Sequence, residues 1–190
     1  MHGTARETTC APPMADLALP TLIPLDQADP AAVERVLDEA FGPDRHKRTA
    51  YAIREGTECL APLCFAAFDE SGLLAGTIQA FPVALTDPQG RAHPLIMIGP
   101  VAILPERQGQ GFGRALMAAQ QAAIAEVRED GAAPLPQVLI GDEPYYGKFG
   151  YAEAPRGWKC PGPWAPERLL VRTENPAVLP REGMLGPWLL

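Results

Sequence analysis

The stretch Gly99–Ala119, "GPVAILPERQGQGFGRALMAA", joins an apolar run, a proline and three alternating glycines to a helical sequence. Pro100 has no N–H to donate to a sheet ladder, so it predicts a bulge or a lapse in strand pairing. Gly109, Gly111 and Gly113 follow, and glycine permits positive φ and a close approach to the backbone. The stretch therefore predicts a distorted strand that leads through a glycine-lined turn into a helix.

The segments on both sides of this stretch predict an α/β fold. "LCFAAFD" and "LLAGTIQAFPVAL" are separated by the short turn "ESG" and predict an antiparallel hairpin. "LIMIGPVAIL" is almost wholly apolar, which is typical of a central strand. A helix over residues 112–128 and the strand "QVLIGD" complete a βαβ crossover, which makes the two flanking strands parallel. The sum is a mostly antiparallel mixed sheet with one parallel step in its middle.

Two helices carry clear signals of their ends and faces. For the first, Asp29 is expected to be the N-cap, Pro30 the first helical residue and Gly42 the residue just past the end. The second helix, after the glycines, is expected to bury one apolar stripe. That stripe consists of Phe112, Leu116, Ala119, Ala123 and Val127.

The composition excludes several classes of protein. The chain has 190 residues, of which 47% are hydrophobic, and a net charge of −7 with a pI near 5.0, which argues against a nucleic-acid partner. No apolar run approaches the ~20 residues that a membrane span needs. The four cysteines include no C-x-x-C pair, so we expect no metal site, reduced thiols and a cytoplasmic protein.

The glycine-lined turn also predicts an anion site. Alternating glycines let backbone N–H groups converge, and the following helix adds its free N–H groups and the positive end of its dipole. A Rossmann fingerprint is excluded because Gly113 comes two residues after Gly111, not three. A Walker A loop is excluded because no Gly-Lys-Ser/Thr triplet follows. A pyrophosphate bound without lysine fits this pattern best.

At this point the sequence resembles the GNAT superfamily of acyl-CoA N-acyltransferases, in particular bacterial members with "YYxxFGF"-like ends. Gln108–Gly113, "QGQGFG", resembles motif A of the family, and Pro144–Tyr151, "PYYGKFGY", resembles motif B. The resemblance implies a GNAT-like fold in which the two parallel strands splay apart. It also implies one N-acetyltransferase domain over residues 16–175. From the sequence itself we expect a disordered segment at 1–15 before this domain and a C-terminal extension at 176–190 after it.

The resemblance further implies where acetyl-CoA, the co-substrate, would bind. Backbone groups of the distorted strand would pair with pantetheine and polarise the acetyl carbonyl, and the turn would hold the pyrophosphate. The residues concerned are Val101, Ala102, Ile103, Gln108, Gly109, Gln110, Gly111, Phe112, Gly113 and Arg114. Tyr146 aligns with the tyrosine that would protonate the departing CoA thiolate while a neutral amine attacks the thioester. The asparagine that many members place before motif B is missing, since the sequence there is "GDEP".

Several alternatives remain open at the level of sequence. The general base is one of Asp142, Glu143, Glu106 and His93, or a chain of waters. A catalytically inactive acyl-CoA-binding module, acting as a sensor or partner, is the main alternative to an acetyltransferase, and hydrolysis or transfer to oxygen or sulfur would use the same fold. The acceptor is expected to be a small-molecule amine or a peptide, and the acidic chain favours a cationic amine. A homodimer is compatible with the sequence.

Overall fold

The computed structural model describes residues 19–127 and 133–189. The disorder expected for residues 1–15 and the expected helix end at Arg128 lie outside the described residues.

The described part of the chain contains four α-helices and nine strands. The helices are α1 Pro30–Phe41, α2 Thr49–Ile53, α3 Phe112–Glu126 and α4 Glu143–Tyr146. The strands are β1 Thr21–Pro24, β2 Phe65–Phe68, β3 Leu74–Thr86, β4 Ala92–Ile103, β5 Gln137–Ile140, β6 Ala152–Glu153, β7 Gly157–Lys159, β8 Leu169–Arg172 and β9 Glu182–Pro187.

The nine strands form one mixed sheet in the order β1-β2-β3-β4-β5-β8-β6, with β9 paired to both β3 and β7. Neighbouring strands are antiparallel except for β4–β5 and β7–β9. The predicted hairpin of β2 and β3 and the central parallel step are confirmed. The fold class expected from the sequence is therefore the one observed.

Helices α1 and α3 cover opposite faces of the sheet. Ala102 of β4 packs into the cluster that contains Val36 and Leu37 of α1. Its neighbours Val101 and Ile103 pack against the cluster that contains α3, because successive side chains of a strand point to opposite faces. Strand β4 is thus covered on both sides, as its apolar sequence predicted.

The signals at the ends of α1 are confirmed. The Asp29 carboxylate accepts a hydrogen bond from the Ala31 N–H at 3.2 Å, and Pro30 is the first helical residue. Gly42 ends the helix with φ +84°, a conformation that other residues rarely adopt.

The buried face of α3 differs from the expected stripe. Val127 is 64% exposed, whereas Met117, Gln120 and Ile124 are buried. The Gln120 amide is tolerated there because its Nε2 donates to the Leu63 carbonyl at 2.7 Å. The buried face of α3 is therefore rotated toward these three residues. The apolar pattern of an alanine-rich helix does not determine which face is buried.

The sheet also contains strands that the sequence did not predict. Strands β6 and β7 are two and three residues long. Strand β9 lies within residues 176–190, which were expected to form a C-terminal extension, and it pairs with β3 from Val83↔Pro187 to Thr86↔Met184.

Candidate active site

The distorted strand is β4, and it bulges where Pro100 predicted. Ile98 faces Ala80 and Val101 faces Ile78 in the register with β3, so Gly99 and Pro100 together oppose one residue of β3. Gly99 has φ +125°, which favours glycine at this position. The bulge interrupts the regular register between β4 and β3.

The splay between β4 and β5 begins just before the bulge. The two strands pair only at Ile96↔Gln137 and Met97↔Val138, although both strands continue past these residues. Farther along β4, the Leu104 N–H donates to the Ala75 carbonyl of β3 at 2.9 Å. Because the direction of N–H groups alternates along a strand, Ala102 also points its backbone groups to β3.

The same alternation turns the backbone groups of Val101 and Ile103 away from β3 and toward the gap. The Ile103 carbonyl, for example, lies 3.5 Å from the Gln108 side-chain amide rather than on β3. The methyl group of Ala102 is fully buried on the face of the sheet that α1 covers. Of the three β4 residues singled out from the sequence, two therefore offer backbone groups to a ligand, and Ala102 has its backbone in the sheet and its side chain in the core.

The glycine-lined turn has the geometry of an anion cradle. Gly109 and Gly111 adopt φ +78° and +92°, and Gly111 is the N-cap of α3. The first N–H groups of the helix, from Phe112 onward, have no acceptor within the helix. Gln110 donates its side-chain amide to the Glu106 carbonyl at 2.8 Å and so folds back onto the turn.

An ion pair anchors this turn to the β2–β3 hairpin. Arg107, one residue before the turn, donates from Nη2 and Nε to Asp69 Oδ2 at 2.8 and 3.1 Å. The other oxygen of Asp69 caps its own turn through Ser71 and Leu73. Hydrogen bonds from Ser71, and then from Arg107, hold the pKa of Asp69 well below its usual range.

Two cavities meet at the splay. The smaller, of about 370 Å³, is lined by the turn and the start of α3 and includes Arg114. The larger, of about 660 Å³, extends from the bulge of β4 to α2 and to the segment around Trp164. Phe41, Val101 and Tyr146 line both cavities. A ligand held in the turn can therefore reach the larger cavity past Tyr146.

Tyr145 and Tyr146 point in different directions on the short helix α4. Their rings lie 4.9 Å apart and nearly perpendicular, at 87°. A Cβ at Gly113 would lie 2.6 Å from the Tyr145 hydroxyl, and a Cβ at Gly141 would clash with the Tyr146 ring. Each tyrosine thus packs against a glycine, and only Tyr146 lies where both cavities meet.

Burial controls the ionisation of both tyrosines. Desolvation, and to a lesser extent the neighbouring Tyr145 and Asp142, raises the pKa of Tyr146 to about 12. The pKa of Tyr145 is also raised, by desolvation, although nearby Arg114 opposes the shift. Tyr146 is therefore a neutral hydrogen-bond donor at physiological pH.

The larger cavity has basic side chains on its wall. Arg54 follows α2 and is only 7% exposed. Its Nη1 lies 3.4 Å from the Gly99 carbonyl, and its guanidinium stacks 4.2 Å from the ring centre of Tyr51 and 3.9 Å from that of Phe81. Arg168 also lines this cavity and pairs with Asp142 at 3.0 Å.

The structure separates the four candidates for the general base. Asp142 lines the larger cavity but is engaged by Arg168. Glu106 and Glu143 are exposed and line neither cavity. His93 hydrogen-bonds Asp87 at 2.9 Å beside the β3–β4 turn, about 16 Å along the strand from the bulge. Asp142 is the one of the four in contact with the site.

The described residues contain neither a metal-binding cluster nor a membrane-spanning helix. In residues 19–127 and 133–189, no cluster of three or more His, Cys, Asp or Glu side chains could bind a metal ion. Within the same ranges, no helix is long and apolar enough to cross a membrane.

Sequence reasoning missed two residues of the site. Gly141 begins the stretch "GDEP" before motif B and was not singled out, yet it leaves the space that the Tyr146 ring fills. Arg54 was not among the site residues expected from the sequence. No local sequence pattern indicates Arg54, because its surroundings are formed by α2, β3 and β4 together.

Residues 22–154 match a family model described as an acetyltransferase (GNAT) domain. None of the curated proteins matches the sequence significantly.

Several solved structures share the fold. The GNAT family N-acetyltransferase YhbS from Escherichia coli, solved in complex with CoA, is 21% identical with a TM-score of 0.63, covering 98% of this chain and 94% of that one. A GNAT family acetyltransferase from Brucella melitensis, solved with acetyl-CoA, is 22% identical with a TM-score of 0.54, covering 86% and 92%. At this level of identity the likeness extends to the fold.

Proposed function

Because the chain belongs to the GNAT family of acetyltransferases, we propose that it transfers the acetyl group of acetyl-CoA to the amino group of a small-molecule or peptide acceptor. The observation that carries this proposal is the meeting of the two cavities at Tyr146 and Val101. One cavity offers an anion cradle and the other offers room for an acceptor. The thioester would lie where they join.

The chain's backbone would hold the CoA moiety. The turn Gln108–Gly113 and the N–H of Arg114 would bind the pyrophosphate, since backbone N–H groups at a helix N-terminus favour an anion. Backbone groups of Val101 and Ile103 point into the splay and would pair with the pantetheine amides, as an added strand would. Ala102 would support this edge through its place in the sheet.

Tyr146 would assist departure of the thiol. The neutral amine forms a C–N bond to the acetyl carbon, and the C–S bond then breaks with its electron pair going to sulfur. The Tyr146 hydroxyl donates a hydrogen bond and then its proton to that sulfur, and water returns to Tyr146 the proton that nitrogen loses. The raised pKa of Tyr146 keeps that proton in place until sulfur becomes basic.

Tyr146→Phe tests this role. We expect turnover of acetyl-CoA with an accepted amine to fall by about 10²-fold, the usual contribution of a positioned general acid, while the Kd for CoA measured by calorimetry changes little. Tyr145→Phe, which removes the neighbouring hydroxyl, is the matched control and should retain most of the activity. Equal turnover by the Tyr146→Phe variant and the wild type would remove Tyr146 from the mechanism.

A screen of amines and peptides, detected by thiol release, tests the activity itself. Tight acetyl-CoA binding without release of thiol in the presence of any acceptor would favour the alternative, a catalytically inactive acyl-CoA-binding module. The described cysteines, Cys59, Cys64 and Cys160, are free thiols, which fits the cytoplasmic location that we propose. A homodimer stays a prediction.

A further inference from the structure

Arg54 is a buried cation on the wall of the larger cavity. Its guanidinium lies between the aromatic rings of Tyr51 and Phe81, and its Nη1 lies 3.4 Å from the Gly99 carbonyl. No carboxylate among the described residues pairs with it. An arginine has five N–H donors and stays protonated in proteins, so most of its hydrogen-bonding capacity is left for a ligand. A buried charge is normally paired.

The other charges on this wall do not compensate Arg54. The cavity is also lined by Lys47, Arg48 and Arg168. Asp142 is the one acidic residue of the lining, and it is paired with Arg168. The lining is therefore net positive in a chain whose net charge is −7. A positive wall favours an anionic group of a ligand, whereas the net charge of the chain had favoured a cationic amine.

The surroundings hold Arg54 in a fixed position. Tyr51, on which its guanidinium stacks, accepts a hydrogen bond from Arg45 Nη1 at 2.6 Å. Arg45 is itself 3% exposed and pairs with Asp38 and Glu34 of α1. Arg45, which has acidic partners, thus orients the Tyr51 ring on which Arg54 stacks. Such a preorganised cation is suited to bind an anion rather than to adapt to solvent.

We propose that Arg54 binds a carboxylate of the acceptor, and that the acceptor is an amino acid or another small amine with a carboxylate close to its amino group. This rests on the proposed acetyl transfer. Arg54 contacts Gly99, which lies two residues before Val101 on β4, and all three residues line the larger cavity. An amine near the acetyl group at Val101 therefore places a carboxylate two or three bonds away near Arg54. A guanidinium binds a carboxylate through two parallel hydrogen bonds.

Binding of the reaction product tests the proposal without any turnover. N-acetyl-phenylalanine and its amide differ only in the carboxylate, and each is titrated calorimetrically into the CoA-saturated protein. We expect the acid to bind the wild type at least tenfold more tightly than the amide, and Arg54→Gln to abolish the difference. Arg35→Gln is the matched control, since it removes one charge from an exposed position on α1, and it should preserve the difference.

Each outcome of that titration is informative. Equal affinity of acid and amide for the wild type would overturn the proposal, and so would an unchanged preference in a folded Arg54→Gln variant. If Arg54→Gln does not fold, as judged by circular dichroism, Arg54→Lys keeps the charge but loses the planar fork. The lysine variant should then retain only part of the preference, and full retention would contradict the binding mode.

Turnover separates this proposal from the proposed function. Phenylalanine and phenylalaninamide are compared as acceptors, and the wild type should prefer the acid by about tenfold or more in kcat/KM. The amino group of phenylalaninamide is less basic than that of phenylalanine, so a larger fraction of it is neutral and able to attack. This difference favours the amide and therefore opposes the expected preference for the acid. Acetylation of the amide alone would overturn the carboxylate site and leave the transferase intact. Selective binding of the N-acetyl acid, together with an absence of thiol release with any acceptor of the screen, would retain the carboxylate site and overturn the transferase.

Discussion

At the scale of single residues, the site depends on which of two adjacent hydroxyls faces the reacting sulfur. Tyr146 lines both cavities, whereas Tyr145 is 39% exposed and lies beside Gly113. Burial raises the pKa of both phenols, and for Tyr146 it reaches about 12. A phenol with so high a pKa keeps its proton and stays a hydrogen-bond donor, which is the state that the proposed role of Tyr146 requires.

This pKa predicts the alkaline side of the pH profile. A tyrosine with the ordinary pKa near 10 would be half ionised at pH 10 and would lose half of its donor form. Tyr146, with a pKa of about 12, stays protonated there. We expect kcat with one accepted amine to rise as the amine loses its proton and then to stay level to about pH 10. A fall in kcat with a midpoint near pH 9 to 10, in protein that circular dichroism shows to be folded, would contradict the assignment.

The sequence predicted a role for Tyr146 but not for Arg54, for a physical reason. Tyr146 belongs to a local motif in which the spacing to the following Gly-aromatic pair carries the signal. The importance of Arg54 arises from Tyr51, Phe81 and Gly99, which are far apart in sequence or on different elements. Net charge does not predict the charge of one cavity wall, because that charge is set by a few residues whose placement depends on the fold.

At the scale of elements, the anion cradle depends on contacts outside the glycine turn. The Asp69–Arg107 pair joins the start of that turn to the β2–β3 hairpin. Glycines allow the positive φ angles of the turn, but they also make the unbound turn flexible, so ordering it costs conformational entropy. An anchor at one end reduces the entropy that the turn loses when it closes on a diphosphate.

Replacing Asp69 by asparagine tests this anchor. Asp69→Asn removes the charge that holds Arg107, so we expect the Kd for CoA to rise about two- to fivefold, the usual range for a partly exposed ion pair. The value of kcat at saturating acetyl-CoA should stay close to that of the wild type. Ser71→Ala is the control, because it removes the Ser71–Asp69 hydrogen bond and leaves Arg107 paired. Equal affinities for CoA in all three proteins would show that the anchor does not act on the cradle.

The elements differed in how well their sequences predicted them. Helix α1 was predicted to its ends because Asp29, Pro30 and Gly42 each act locally. The bulge in β4 followed in the same way from Pro100. Strands β6, β7 and β9 were missed because they are short and lie among prolines and glycines, so their strand state comes from pairing with the sheet. Local propensity cannot report a partner that is distant in sequence.

At the scale of the whole molecule, the C-terminal strand connects the sheet to the acceptor side of the site. Strand β9 pairs with the end of β3, and Leu185 at its centre is 1% exposed. Leu185 belongs to the same buried cluster as Ile53, which ends α2 one residue before Arg54, and as Trp158. The segment that looked like an extension therefore buries the base of the helix that precedes the basic wall.

Leu185→Ala tests whether β9 is integral to the domain. Truncating a fully buried leucine is expected to lower the free energy of unfolding by about 2–5 kcal/mol, measured by urea denaturation. Met184→Ala changes the neighbouring residue, which is 46% exposed, and should stay within about 0.5 kcal/mol of the wild type. Because the cavity left by Leu185→Ala adjoins Ile53, the KM for the acceptor should rise more than the Kd for CoA. Indistinguishable unfolding of the two variants would show that residues 182–187 are dispensable for the stability of the sheet.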